Sequence, residues 1–265
     1  MKFEELQQSL NEARRHPKKT GWDIYHYMKE NLDAMESREA RTLLACYMKM
    51  TLKRPSLLHS LMLQLALKMA KKYADFQFDK FFEMWEYPGI ERILGYVDFY
   101  DEKHRHYHIY DSRSRHFVAI DPHIEPQVHE FVEFTPIIPE DGKFKTAVIH
   151  SVLGTEYDTQ DELATKRPAA YETELSAPTK TGVGSFFYDA VVTRVFPERG
   201  YFEYRITSEI PKLDEGFMTD IGSSFMGDRK LEVGQSVRLL ILLKREKDGV
   251  KRNYVAHICA NDTQV

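Results

Sequence analysis

The sequence predicts a multidomain α+β chain: an amino-terminal α-helical hairpin array followed by two small antiparallel β-barrels. Three observations point there. Apolar residues recur at three and four positions between Gly21 and Tyr87. Short apolar-polar alternations punctuated by turn residues run from Gly95 to Val152 and again from Gly184 to Ile258. A polar, acid-rich stretch with Pro168 and Pro178 lies between them, from Gly154 to Gly182, and has too little apolar content for a core of its own. The expected units are residues 1–90 (helical), 91–153 (first barrel), 154–182 (linker) and 183–265 (second barrel), a division suited to 265 residues.

Composition narrows the function classes. No apolar run approaches the roughly 18 residues that a membrane span needs. The start, Met1 to His16, is charged throughout and lacks the apolar centre of a secretory signal, so a cytoplasmic protein without membrane partners is expected. Cys46 and Cys259 stand far apart without CxxC spacing, which supports neither a disulfide framework nor a thiolate zinc site. The net charge of −4 gives no global attraction to polyanions, so any nucleic-acid surface must be local.

In the helical third, Ile24, Tyr25, Met28 and Leu32 share one face, and Ser37 is placed to cap a second helix carrying Leu43, Leu44, Tyr47 and Met50. Pro55 suits the opening of a third, striped by Leu58, Leu61, Met62, Leu65 and Met69; Phe78 to Trp85 is a last aromatic-rich segment. These stripes are core in the first instance, with a groove for a protein partner as the alternative. Arg14, Arg15, Lys18 and Lys19 form a basic cluster that reads as a solvated helix end. The stretch from Arg41 to Trp85 resembles a helical domain of uncharacterised bacterial proteins, a resemblance that implies no activity.

In the first strand-rich region, Gly95 to Tyr100 alternates, Asp101-Glu102-Lys103 breaks the pattern, Tyr107 to Tyr110 resumes it, and His116 to Ile120 follows the turn at Asp111 to Ser114. Pro122 and Pro126 confine the next segment to a loop before Phe131–Phe134 and Lys143–Ile149. Such a meander turns one face to a core and presents the other to solvent or a partner. That second face is rich in aromatic, imidazole and guanidinium groups, and Lys103, Arg105, Arg113 and Arg115 cluster beside it. His104, His106 and His108 lie two apart, so in a regular strand they would share one face and could share a metal. Without a third ligand of known position no metal site or cofactor is assigned.

At Gly95-Tyr96-Val97-Asp98-Phe99-Tyr100-Asp101, Arg105 to Tyr110 and Phe117-Val118-Ala119 the chain resembles the cold-shock domain, a small barrel of OB type that binds single-stranded nucleic acid. The resemblance implies base-stacking positions at Phe99, Tyr107, Ile109 and Phe117. The chain departs from the family pattern where both second-strand glycines are histidines, the closing His is Ala119 and the first-strand Lys is Asp98.

The second region opens with a long strand, Gly184 to Val195, turns at Pro197-Glu198-Arg199-Gly200 into Tyr201 to Ile206, and ends in the strands Ser236–Lys244 and Asn253–Ile258 around the turn at Asp248-Gly249. Asp214 to Leu231 reads as irregular. With Val233-Gly234-Gln235 before its fourth strand, this region resembles an S1-like or general OB barrel, which binds oligonucleotides on the face of strands two and three and with neighbouring loops. Those positions hold Arg199, Tyr201, Tyr204 and Arg205, and the final hairpin adds Lys244, Arg245, Lys247, Lys251 and Arg252.

The chain contains no GxGxxG, GxxxxGK[ST], GxSxG or HExxH. The expected function is therefore non-catalytic binding of single-stranded nucleic acid, RNA rather than duplex DNA, through Phe99, Arg105, Tyr107, Phe117 and the second-region residues just named. Two alternatives are an adaptor that uses the barrels as scaffold and a metal-dependent hydrolase built on the histidine strand.

Overall fold

A computed structural model describes residues 3–50, 56–76, 92–139, 144–155, 186–210, 213 and 218–259. The expected helix at Phe78 to Trp85 and most of the linker lie outside them. Four helices come first: α1 (Phe3–Asn11), α2 (Pro17–Asn31), α3 (Ser37–Lys49) and α4 (Leu57–Lys72). Ser37 does not cap α3; it sits at the first helical position, and its hydroxyl donates to Asp75. Ser56 is the residue that caps α4, accepting from the His59 backbone N–H.

The apolar stripes of the helices are buried together, and their cluster continues into the barrel through Ile137 and Val148, with Ile120 at its margin. The expected helical unit is thus fastened to the barrel by a common core. Gln64, 2% exposed, makes the joint: its Nε2 donates to the Ala147 carbonyl, and its Oε1 accepts from the His123 backbone N–H. Lys29 and Lys68 also converge on Asp121 at 2.8 and 3.1 Å.

The barrel comprises β1 (Ile93–Asp101), β2 (His106–Asp111), β3 (His116–Ile120), β4 (Phe131–Ile137) and β5 (Thr146–Gly154). It is closed, in the order β1-β2-β3-β5-β4, with β3 and β5 parallel and the other pairs antiparallel. Val97, Ile109, Phe117, Phe134 and Ile149 fill its interior. Gly95 is required there, because a Cβ would lie 2.5 Å from a methyl of Ile109 and 2.6 Å from the Phe134 ring.

The second region differs from expectation. Its strands β6 (Phe187–Phe196), β7 (Tyr201–Ile206), β8 (Ile221–Phe225), β9 (Ser236–Arg245) and β10 (Lys251–Cys259) form an open antiparallel sheet in the order β10-β9-β6-β7-β8. β8 was expected to be irregular, and no ladder joins it to β10 among the described residues. Instead the Asn253 carboxamide donates to the Thr219 carbonyl at 2.7 Å and accepts from its N–H at 3.3 Å, a side-chain clasp where a closing ladder would run. One face of the sheet carries its own core, including Phe202, Tyr204, Leu239, Ile241 and Leu243. The other docks Phe186, Phe187, Leu240 and Leu242 onto Leu94, Tyr96 and Phe131 of the barrel.

Histidines seated at these joints make stability depend on pH. Burial lowers His123 to about 4 and holds His150, which shares a 2.8 Å hydrogen bond with Thr135, well below its ordinary value. Both rings are neutral when folded and take up protons on unfolding below about pH 6.5, so stability falls as pH drops from there towards 4. Each proton contributes a slope of about 1.4 kcal/mol per pH unit. The melting temperature is expected to drop steadily across that window, and His123→Gln to flatten the slope; a melting temperature independent of pH would contradict this arrangement.

Candidate nucleic-acid interface

Two sides of the barrel are covered, one by the helices through Ile137 and Val148 and one by the second sheet through Leu94, Tyr96 and Phe131. The outer side of β1, β2 and β3 carries the rings. A bulge in β1, where Val97 faces Ile109 but Phe99 faces His108, inserts Asp98 and turns both Asp98 and Phe99 outward. Phe99, 44% exposed, then stacks on His108 with centroids 3.9 Å apart and planes 12° from parallel. His108 stacks on His116 at 5.0 Å and 9°, and His116 meets Tyr110 at 5.0 Å. One shared hydrogen bond, His108 Nδ1 to His116 Nε2 at 2.8 Å, fixes the middle of this ladder. Desolvation lowers the proton affinity of His108 and of neighbouring His106.

The basic hairpin of β9 and β10 adjoins this face. Lys244 reaches both carboxylate oxygens of Asp98 at 2.6 Å, with its ammonium 5.6 Å from the Tyr110 centroid and 3.4 Å from that of Tyr254. Desolvation lowers the pKa of Lys244 and the Asp98 carboxylate opposes that shift. The β2–β3 turn is held from within: buried Asp111 accepts from the Arg113 and Arg115 backbone N–H groups and from Arg115 Nε, while Ser114 Oγ accepts from the Leu243 N–H of the second sheet. Burial raises Asp111, and Arg115 acts against that rise.

The sequence-derived site residues divide accordingly. Phe99 and Arg105 are exposed. Phe117 and Tyr204 are wholly buried, because strand alternation turns them into the barrel interior and the second core, and neither can stack on a base. Tyr107, 9% exposed, also belongs to the barrel interior and leans on Tyr100 at 4.5 Å; Ile109 is fully buried. Lys244 serves as an internal ion-pair partner rather than an exposed cation. Arg199, Arg205, Arg245 and Arg252 are exposed, Tyr201 and Lys251 half-buried, and Arg252 pairs with Asp248 at 2.7 Å.

The three histidines do not share a regular strand face, since β2 begins at His106 and His104 lies in the preceding turn, bonded to Asp101 at 2.7 Å. Among the described residues no group of three His, Cys, Asp or Glu side chains is arranged to hold a metal ion. The partners His116, Tyr110 and Tyr254 escaped sequence reasoning. Alternation alone could have aligned His108 with Tyr110 and His116, but packing of a hairpin 130 residues away from that strand could not be read locally.

No protein-family model matches the chain, and no curated protein sequence does. Among solved structures, the chain is similar to a multidomain protein with nucleic acid binding domains from Streptococcus pneumoniae TIGR4, at 13% identity and a TM-score of 0.19. That likeness covers 63% of this chain and 51% of the other, about half its length.

Proposed function

We propose that the protein binds single-stranded nucleic acid, RNA in preference to DNA, across the outer side of β1–β3 and the adjoining β9–β10 hairpin, without catalysing a reaction. The observation that carries this reading is the ladder Phe99, His108, His116 and Tyr110, which runs over the outer side of β1–β3 from Tyr110 at the seam with the second sheet to exposed Phe99. Ring faces stack on bases of any sequence for about 1 to 3 kcal/mol each, and nearby cations track the phosphates. Arg105 in the β1–β2 turn and Arg245 on the hairpin are exposed, which supports the second task. The imidazoles of His104 and His106, centroids 5.9 Å apart beside the ladder, offer hydrogen-bonding groups suited to a ribose 2′-hydroxyl.

Fluorescence anisotropy with labelled oligouridylate and oligodeoxythymidylate tests the reading. Micromolar or tighter binding that weakens with salt is expected, stronger for the ribose form. Phe99→Ala combined with His108→Ala should weaken binding roughly tenfold or more. Reversing charge at Arg245 and Lys251 should lower the salt slope. Oligonucleotides that stay free at low salt would reject the proposal and leave the adaptor reading, in which the helical unit retains a protein partner.

A further inference from the structure

On the barrel-facing side of the second sheet, beyond the contact itself, lies another row of rings. Strand register puts Phe196 of β6 opposite Tyr201 of β7 and Tyr201 opposite Phe225 of β8. Phe196 and Tyr201 are already stacked, centroids 4.5 Å apart at 22°, and Phe225 is 79% exposed. Phe202 and Tyr204 enter the core, so Tyr201 and Arg205 must point the opposite way. A second bulge, between Val192 and Arg194, moves Arg194 and Phe196 to this outer side, as the bulge in β1 does for Phe99. Arg194, 71% exposed, shares this side opposite Glu203, Arg205 is exposed further along β7 on the same side, and Arg199, 68% exposed, stands in the turn that joins β6 to β7. The acidic partners, Glu203 at 3.7 Å from Arg194 and Glu198 at 3.9 Å from Arg199, form surface pairs of the kind that contribute little and yield readily to a phosphate.

We infer that Phe196, Tyr201 and Phe225, with Arg194, Arg199 and Arg205, form a second stacking platform for the same single strand that lies on the barrel face, so that the protein holds long strands at two points. This rests on the reading given above as the proposed function. Rings in a row with exposed guanidinium groups on the same sheet face and at its turn suit the bases and phosphates of one strand. The separation sets a length requirement. Phe187 packs on Phe131 of the barrel with centroids 6.1 Å apart, and Phe196 lies nine residues further along the same strand, about 30 Å at about 3.3 Å per residue, while Lys244 beside the ladder lies the other way from Leu240, the β9 partner of Phe187, so the platforms are farther apart than that. At about 3.4 Å per stacked nucleotide the span exceeds roughly nine nucleotides, so a five-nucleotide strand reaches one platform and a twenty-nucleotide strand, about 68 Å long, reaches both.

The test is an anisotropy titration of the full chain with oligouridylates of five and twenty nucleotides, using wild type, Phe225→Ala, Arg199→Ala with Arg205→Ala, and Phe99→Ala. The truncated side chains are exposed, so folding should persist, and circular dichroism checks it. Wild type should bind the longer strand at least roughly tenfold more tightly, through the raised effective concentration at the second point. Phe225→Ala and the double arginine variant should lose most of that advantage while changing five-nucleotide binding by about twofold or less. Phe99→Ala should weaken both lengths. If Phe225→Ala and the arginine variant leave twenty-nucleotide binding unchanged while Phe99→Ala weakens it, the second platform is refuted and the barrel-face reading stands; the exposed row would then suit a protein partner. If wild type binds neither length, both readings fall together.

Discussion

Phe117→Ala is expected to cost about 3–5 kcal/mol of stability, a large fraction of the 5–15 kcal/mol that holds a typical domain together. The ring is fully buried, meets Phe134 edge-on at 5.1 Å and lies beneath the Arg115 guanidinium at 5.7 Å. Its truncation leaves a hole bounded by β1, β2 and β4 side chains in a barrel closed on itself, where strand hydrogen bonds resist collapse around the gap. Urea unfolding followed by circular dichroism should show the midpoint move sharply downward, while Phe99→Ala on the outer side moves it little. The pair separates the two roles that the cold-shock resemblance assigns alike: one ring belongs to the core and the other to the surface. A Phe117→Ala protein as stable as wild type would place that ring outside the barrel and overturn the core described above.

Asp98→Ala should cost about as much, about 3–5 kcal/mol, for an electrostatic reason. The Asp98 side chain is 7% exposed and that of Lys244 21%, so neither is well hydrated, and the carboxylate opposes the desolvation that lowers the Lys244 pKa. Removing the carboxylate leaves a desolvated cation between Tyr110 and Tyr254, at the seam where the second sheet meets the barrel. Lys244 would then shed its proton more easily, which limits the loss without abolishing it. The double variant Asp98→Ala with Lys244→Met should regain most of the stability, because a buried pair replaced on both sides by apolar groups leaves no orphan charge. Denaturation curves for the two single variants and the double provide the cycle. A double variant no more stable than Asp98→Ala would mean that the carboxylate acts through something other than Lys244.

The legible parts of this chain were those governed by short-range pattern. The stripes at Leu58, Leu61, Met62, Leu65 and Met69 gave a buried helix, and the alternations from Gly95 to Ile149 gave the five strands that close the barrel. β8 was missed because Ile221-Gly222-Ser223-Ser224 has turn-like composition; Gly222 is there because the Tyr204 hydroxyl lies where a Cβ would stand. Inward and outward positions were confused on β2 and β3, where the cold-shock resemblance put Tyr107, Ile109 and Phe117 on the outer face although their regular alternation turns them inward; Phe99 does reach that face, through the bulge at Asp98, a change in phase that hydrophobicity does not mark. Lys244 and Arg252 looked alike in sequence. One is drawn into a seam by Asp98, 146 residues distant in the chain, while the other remains on the surface with Asp248. Contacts of such separation are set by the packing of whole units.

The shared core of helices and barrel also bears on synthesis. Gln64 and the carbonyl it holds on Ala147 are 83 residues apart, so α4 leaves the ribosome long before the strand that covers it. At roughly 5–20 residues per second the helix waits about 4–17 s with its barrel-facing side uncovered. During that interval the barrel-facing side of α4 is a surface that a holding chaperone would cover, and the part of the core shared through Ile137 and Val148 cannot form until the barrel strands have been made.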